Sequence, residues 1–209
     1  MPSVPTLIGF TAAALTLLLI PGPSVLYIVT RSLAQGRRAG FMSVLGVHVG
    51  SVVHVVAAVL GISALIASSA TAFTVVKYLG AGYLVWLGIQ QFRSRRETPD
   101  DDHRPPLSQR RLFTQGVVVN VLNPKTAIFF LAFLPQFVDP SRGPVAWQLA
   151  VLGGCFIALG IVSDGVFALT AGTVAGPLLR SVRGRRRLTT ASGTVYVGLG
   201  VTTVLARQT

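Results

Sequence analysis

Charged residues are scarce in this sequence. Only 11% of its 209 residues are Asp, Glu, Lys or Arg, whereas 51% are hydrophobic. Soluble domains carry roughly 25% charged residues, so most of the surface of this protein does not face water. Since a transmembrane helix needs about 20 apolar residues, the length allows six spans with short loops. It excludes a large domain outside the membrane.

Cysteine is almost absent, and bases greatly outnumber acids. The single cysteine, Cys155, lies in an apolar run, which excludes a disulfide framework and a cysteine-based metal site. We expect no cofactor, no bound metal and no catalytic residues. The net charge of +12 would suit nucleic acid, but the bases form short clusters between long apolar runs. Such clusters contact anionic lipid, so the expected partner is a lipid bilayer and not a nucleic acid.

The apolar runs predict an all-α integral membrane protein with six transmembrane helices. The predicted spans are about 4–30, 40–67, 72–92, 114–138, 145–179 and 188–206. Residues 93–113 combine mixed charge with proline and no apolar period, so they are predicted to form a cytoplasmic linker. The linker separates a first three-helix repeat, residues 1–92, from a second, residues 114–209.

The distribution of bases predicts the orientation of the spans. The loops after spans 1, 3 and 5 carry three, six and five arginines, whereas Lys77, Arg142 and Arg207 lie on the other side. Basic loops stay in the cytoplasm, so both termini are predicted to be extracytoplasmic in a bacterial inner membrane. An odd number of spans in each half means that the two repeats, if related, are inverted.

Spans 1 and 4 are each interrupted by proline. Span 1 contains Pro21-Gly22-Pro23, and span 4 contains Asn123-Pro124 followed by Lys125. Proline removes a backbone donor and clashes with the preceding turn. Matched interruptions in the two halves of a transporter indicate its binding site. The alternative is that the prolines only kink two packed helices.

The residues at these breaks suit a carboxylate. Asn123 is a good N-cap and Pro124 a good first helical residue, so each break exposes helix N-terminal amides with partial positive charge. Lys125 adds a full charge, unless it extends to the cytoplasmic interface. Tyr27 and Asn120 lie one turn from the breaks and are candidates for hydrogen bonds to a ligand.

Asp164 is the acid that lies well inside a span, and such residues are functional candidates. It is predicted to take part in transport, with a fixed pair to Lys125 as the alternative. His48 and His54 in span 2 are about 120° apart around the helix, so they do not form a metal pair. Packing is the simpler role for both, and His54 is kept as a candidate proton ligand.

Many short motifs resemble the LysE/RhtB family of bacterial amino-acid exporters. In the first half they are Pro21-Gly22-Pro23, Gly36, Gly40, Gly46, Gly50, His54, Gly61, the stretch 77–84 and Trp86-Leu87-Gly88. In the second half they are Asn123-Pro124-Lys125, Phe129, Phe130, the stretch 134–137 and Asp164. The resemblance covers nearly the whole chain. It implies ion-driven export of amino acids or derivatives, such as basic amino acids, homoserine, threonine or homoserine lactones.

Residues and resemblance together predict a secondary transporter that exports an amino acid or derivative by proton antiport with alternating access. The predicted substrate-binding residues are Pro21, Gly22, Pro23, Tyr27, Asn120, Asn123, Pro124 and Lys125. Asp164 and His54 are the predicted proton-coupling residues. A passive channel is the alternative function, and an intramembrane enzyme is disfavoured because one buried acid and no metal-spaced histidines supply no catalytic set. Glycine-rich faces permit a homo-oligomer.

Overall fold

The computed structural model describes residues 1–68 and 106–175, with isolated positions between 75 and 89 and between 181 and 201. The predicted spans 72–92 and 188–206, and most of the linker, lie outside the described residues. The regular elements within 1–68 and 106–175 are all helical. The α-helices are α1 Val4–Leu19, α2 Pro23–Gln35, α3 Arg37–Ser68, α4 Gln109–Val121, α5 Pro124–Ile128 and α6 Val145–Thr170. Short 3₁₀ or π-helical turns lie at Phe129–Phe133, Leu134–Phe137, Pro140–Arg142 and Ala171–Ala175.

Four stretches of the described chain are suited to a membrane. The segments Arg37–Gly61 and Val145–Thr173 are each long and apolar enough to cross. Helices α1 and α2 bend by 52° at their break, and α4 bends by 48° relative to Pro124–Phe137. If each bent pair is one crossing, the described residues contain up to four spans. The breaks predicted in the first and fourth spans are therefore present.

The helix ends differ from the predicted boundaries for local reasons. Helix α2 continues past residue 30 and ends at Gly36, whose φ of 82° allows the sharp turn into α3. Helix α4 begins at Gln109, before the predicted start near 114, because the Ser108 hydroxyl accepts a hydrogen bond from the Arg111 amide at 3.3 Å. The last residues of the predicted linker are thus helical.

Glycines allow α3 and α4 to pack with their backbones in close approach. A Cβ at Gly46 would overlap the carbonyl oxygen of Phe113. A Cβ at Gly50 would lie 2.8 Å from the carbonyl oxygen of Val117. Small residues at such spacing are typical of tight helix contacts in membranes. From Gly46 to Gly50 on α3, the contacted residue on α4 moves from Phe113 to Val117. The residue numbers rise together, so α3 and α4 run parallel.

An aromatic cluster fixes the segment after α5. Helix α5 continues as a π-helical turn, Phe129–Phe133, and a short 3₁₀ helix, Leu134–Phe137. The ring of Phe129 lies 4.9 Å from that of Phe156 on α6 and 5.9 Å from that of Phe10 on α1, centroid to centroid. Buried aromatic contacts of this kind stabilise packing beyond the area that they bury. They join α1, the π turn and α6 into one apolar core.

The arginines at the end of α2 and at the starts of α3 and α4 lie at the same end of the bundle, whereas Arg142 lies at the opposite end. At one end, the Met1 ammonium group donates to the carbonyl of Arg142 at 3.0 Å. Toward the other end, the Tyr27 hydroxyl donates to the carbonyl of Leu112 at 2.7 Å, so the end of α2 lies near the start of α4. Arg31 therefore shares an end with the bases that begin α3 and α4.

Candidate functional site

The break in the first span leaves the start of α2 without a side-chain cap. Helix α1 ends at Leu19, Ile20 turns to an extended conformation with ψ of 115°, and α2 begins at Pro23. Gly22 is the N-cap, and the described residues make no side-chain cap hydrogen bond at the start of α2. Free amides at a helix N-terminus carry partial positive charge. This end of α2 can therefore receive an anionic group.

The break in the fourth span is capped by its own side chain. Asn123 is the N-cap of α5, and its Oδ1 atom accepts a hydrogen bond from the Lys125 amide at 3.1 Å. Pro124 takes the first helical position, as predicted from its missing amide. The two breaks are thus chemically unequal: one helix start is closed by Asn123, and the other is open at Gly22.

The side chain of Asn120 joins the two breaks to α3. Its Nδ2 atom donates to the Val47 carbonyl and to the Ser51 hydroxyl, both at 2.9 Å. Its Oδ1 atom accepts from the hydroxyls of Ser24 and Thr126, both at 3.1 Å. Both amide hydrogens and both lone pairs are therefore used within the protein, and Asn120 acts as a connector between helices.

Ser24 brings the two breaks into direct contact. Its hydroxyl on α2 accepts a hydrogen bond from the Nδ2 atom of Asn123 at 2.9 Å while it donates to Asn120. Ser24, Asn120 and Asn123 are all buried. Hydrogen bonds among buried polar groups hold elements in a fixed relation, because an unpaired group would be costly there. The interruptions in spans 1 and 4 therefore meet inside the bundle.

Lys125 extends from the second break into the first. Its ammonium donates to the carbonyl of Leu17 at 3.1 Å and to that of Ile20 at 2.8 Å. The side chain is only 7% exposed. These carbonyls lie at the C-terminal end of α1, where a cation is favourable. A Cβ at Gly22 would lie 3.2 Å from the Nζ atom, so the ammonium group also borders the open end of α2.

Four of the predicted substrate-binding residues, the three prolines and Tyr27, make no polar contact with this cluster in the described part of the chain. Pro21 is buried, whereas Pro23 and Pro124 are exposed. Pro23 and Pro124 therefore contribute by starting helices and not by contacting the buried polar groups. Tyr27 directs its hydroxyl to Leu112 and not toward the break. The structure brings together Gly22, Ser24, Asn120, Asn123 and Lys125.

Asp164 lies in a separate buried pair. Its Oδ2 atom is 3.1 Å from the Nε2 atom of His48 on α3, and the two residues are 3% and 4% exposed. The structure thus gives Asp164 a histidine partner, where the sequence suggested Lys125. His54, in contrast, lies beside the Asn120 cluster: its Nε2 atom is 2.9 Å from the Asn120 carbonyl oxygen, and its ring stacks on Phe130 at 6.0 Å.

Sequence reasoning missed the parts played by Ser24 and His48. Ser24 follows Pro23 directly, and a hydroxyl in the first turn of a restarted helix is a plain hydrogen-bond candidate. His48 had a stronger signal, because an acid inside a span needs a partner and span 2 offered two histidines. Periodicity within one span does not indicate which histidine faces another span.

An apolar cavity of about 430 Å³ lies between α1 and α6. Its described lining includes Leu15, Leu19, Val162, Ser163 and Phe167, and none of the predicted site residues is among it. No group of three or more His, Cys, Asp or Glu side chains within the described ranges is arranged to hold a metal ion. The buried polar cluster at the two breaks therefore remains the candidate site.

Membrane-length helices, two of them broken so that buried polar groups meet, define the general class of a membrane translocator. Comparison with known proteins gives the family. Residues 15–207 match the family described as LysE type translocator, and the chain therefore belongs to this family. It is a transporter and not an enzyme, as predicted. No solved structure matches the chain.

Several bacterial proteins are similar over most of their length. A membrane protein of Vibrio cholerae is 35% identical over 202 residues, which cover 96% of this chain and 97% of the relative. The homoserine/homoserine lactone efflux protein of Salmonella typhimurium is 31% identical over 190 residues, 91% of each chain. The leucine efflux protein of Klebsiella pneumoniae is 29% identical over 164 residues, 74% of this chain and 76% of the relative.

Proposed function

We propose that this protein exports an amino acid or a close derivative from the bacterial cytoplasm in exchange for protons. Membership of the translocator family supports the transport class. Relatives named for the efflux of homoserine, homoserine lactone and leucine support a substrate of that size and chemistry. The observation that carries the proposal is the meeting of two broken spans around a buried ammonium group.

The substrate carboxylate binds at the start of α2. The amides that follow Gly22 have no side-chain cap, and the ammonium of Lys125 borders the same point. A carboxylate at a helix N-terminus beside a cation gains charge-assisted hydrogen bonds. Asn123 already closes the start of α5, so the two breaks do not compete for one anion. Pro21, Pro23 and Pro124 shape the breaks, and Tyr27 lies beyond them.

Transport requires the polar cluster to open. The ammonium of Lys125 is bonded to the carbonyls of Leu17 and Ile20, and an entering zwitterion replaces these bonds with a contact to its carboxylate. The vacated carbonyls then suit the amino group of the same zwitterion. Exchange of one set of bonds for another avoids leaving a buried charge unpaired.

The transporter has six spans arranged as two inverted triplets, with alternating access produced by the motion of one triplet against the other. Bends of 52° and 48° in the first span of each half support this arrangement. The ends that carry Arg31, Arg37 and Arg110 face the cytoplasm, because basic ends are retained there. Both termini are then extracytoplasmic.

Protons enter the cycle through Asp164 and His54. Asp164 is a carboxyl group buried between α3 and α6 beside His48, and such a buried site changes the charge of the membrane interior when it binds a proton. His54 contacts the backbone of Asn120, so its protonation acts on the connector between the breaks. Asp164 thus moves protons, and His54 lies next to the substrate.

The test uses purified protein in lipid vesicles loaded with a panel of labelled amino acids. With an imposed pH gradient, we expect uphill movement of homoserine, leucine or a similar solute. Lys125→Met should abolish this movement while leaving the amount of inserted protein unchanged, and Arg110→Met on the basic end of α4 serves as the control. Uphill movement at the normal rate in Lys125→Met would contradict the proposed site. Movement only down the solute gradient, whatever the pH, would indicate a passive channel.

A further inference from the structure

The pair formed by His48 and Asp164 joins the two halves of the chain. His48 belongs to α3 in the first half and Asp164 to α6 in the second, and their Nε2 and Oδ2 atoms are 3.1 Å apart. Helices α3 and α6 run antiparallel and pack along much of their length. Any rocking of one half against the other acts on this contact.

A glycine makes room for the histidine ring. Gly160 lies one turn before Asp164 on α6, and a Cβ added there would overlap the Cε1 atom of His48. Glycine inside a helix is destabilising relative to alanine, so its presence needs a packing reason. Here the ring occupies the space that a side chain at position 160 would fill. Gly160 therefore positions His48 against Asp164.

The second nitrogen of His48 is available to a proton. Its Nδ1 atom is buried and has no hydrogen-bond partner among the described residues. When the Nε2 hydrogen is donated to the Asp164 carboxylate, the Nδ1 lone pair remains open. Buried polar atoms without partners are rare in proteins and call for a specific explanation. A site for a transported proton is such an explanation.

We propose that His48 and Asp164 together carry the coupling proton, and that Gly160 holds the imidazole in place for this step. The proton binds to the Nδ1 lone pair while the bond between Nε2 and Asp164 is kept. The pair then changes from a net charge of −1 to zero, and it returns to −1 when Nδ1 releases the proton on the other side. Since an uncompensated charge is costly within a bilayer, the two states favour different arrangements of α3 and α6.

Other titratable groups lie on the helices that pack around the pair. The elements around the pair carry Tyr27 and Arg31 on α2, Arg37, Arg38 and His54 on α3, Arg110 and Arg111 on α4, Lys125 on α5 and Cys155 on α6. Helix α1 and the turns Phe129–Phe137 and Ala171–Ala175 carry none. Of these groups, Tyr27, His54 and Lys125 bond to backbone carbonyls. The ion-pair contact of Asp164 in the described structure is with His48.

The inference rests on the proposed proton antiport, and two assays separate them. Exchange of labelled for unlabelled homoserine at equal pH measures substrate binding and movement without a proton gradient. Accumulation under a one-unit pH gradient measures coupling, and one proton per solute sustains about a tenfold concentration ratio. For His48→Gln, which keeps a hydrogen bond to Asp164, we expect normal exchange and a concentration ratio that falls to about one.

Gly160→Ala supplies a variant that keeps both titratable groups. It should displace the ring and reduce accumulation while exchange continues. Gly154→Ala is its matched control on the same helix, because a Cβ at Gly154 would meet no atom within 4 Å, and it should accumulate substrate normally. If His48→Gln fails to insert into the membrane, this comparison still tests whether the position of the His48 ring is needed for coupling.

Each remaining outcome refutes a different claim. If the unaltered protein exchanges homoserine but never accumulates it, the proton antiport fails, and the role of the pair fails with it. If His48→Gln accumulates substrate normally, the antiport stands and the role of His48 is refuted. If His48→Gln loses exchange and accumulation together, the residue is only structural. Equal accumulation by Gly160→Ala and Gly154→Ala would refute the positioning role.

Discussion

Replacing Gly50 with alanine tests the close contact between α3 and α4. The added Cβ would lie 2.8 Å from the Val117 carbonyl oxygen and 2.9 Å from the Cβ of Asn120. Both distances are shorter than a normal contact, so α4 has to move. Overpacking of this kind costs about 1–3 kcal/mol, against a gain of about 0.5–1 kcal/mol from placing alanine in a helix. The net loss is up to about 2.5 kcal/mol.

The matched control for Gly50→Ala is Gly61→Ala on the same helix. A Cβ at Gly61 would meet no atom within 4 Å, so only the stabilising effect of alanine over glycine in a helix remains. In detergent, we expect the unfolding midpoint of Gly50→Ala to fall by roughly 2–8 °C and that of Gly61→Ala to stay or rise slightly. Export should fall only in Gly50→Ala, because Asn120 is displaced. Equal midpoints in the two variants would refute the close crossing.

Three further substitutions or titrations test other parts of the account. Asn120→Leu keeps the volume but removes the bonds that join the breaks, so export from vesicles should be lost while the inserted amount of protein is unchanged; full export would contradict the connector role. Gly22→Ala places a methyl group 3.2 Å from the Nζ atom of Lys125, and the homoserine concentration for half-maximal export should rise about tenfold, the usual effect of weakening one charged hydrogen bond. The hydroxyl and amide of Ser141 donate to the exposed Asp139 carboxylate and hold its pKa below the ordinary range. The contribution of this carboxylate to stability should therefore be complete above the ordinary aspartate pKa of about 3.9 and be lost progressively as the pH falls from there through the lowered pKa; a carboxyl carbon NMR titration with a midpoint at or above the ordinary value would contradict this.

Much of the architecture follows from the sequence because lipid imposes simple rules. A span must be long, apolar and internally hydrogen-bonded, so the apolar runs that become α3 and α6 can be recognised from the sequence alone. Proline inside such a run marks a break, and the breaks before Pro23 and Pro124 are present. The ends of α2 and α4 were less predictable, since they depend on the turn at Gly36 and the cap at Ser108.

The contacts between spans were beyond the reach of single-sequence reasoning. Asn123 and Lys125 were identified from the break that contains them, but the approach of Lys125 to Leu17 and Ile20 depends on how two spans cross. In the same way, Asp164 was recognised as unusual, whereas its partner His48 depends on the rotation of α3 against α6. Glycines at 46, 50 and 160 mark these crossings in the sequence, but they do not say which helix fills the space.

The central claim is that the open start of α2 and the ammonium of Lys125 recognise a carboxylate. Homoserine and homoserine lactone form a related pair of solutes, because ring closure joins the carboxylate to the side-chain hydroxyl and so replaces the negative group with an uncharged ester. In vesicles, we expect the unaltered protein to export homoserine about tenfold or more faster than the lactone, the usual effect of a charged hydrogen bond. In Lys125→Met this preference should disappear. Equal export of both solutes by the unaltered protein, or a preference for homoserine that survives in Lys125→Met, would contradict the account.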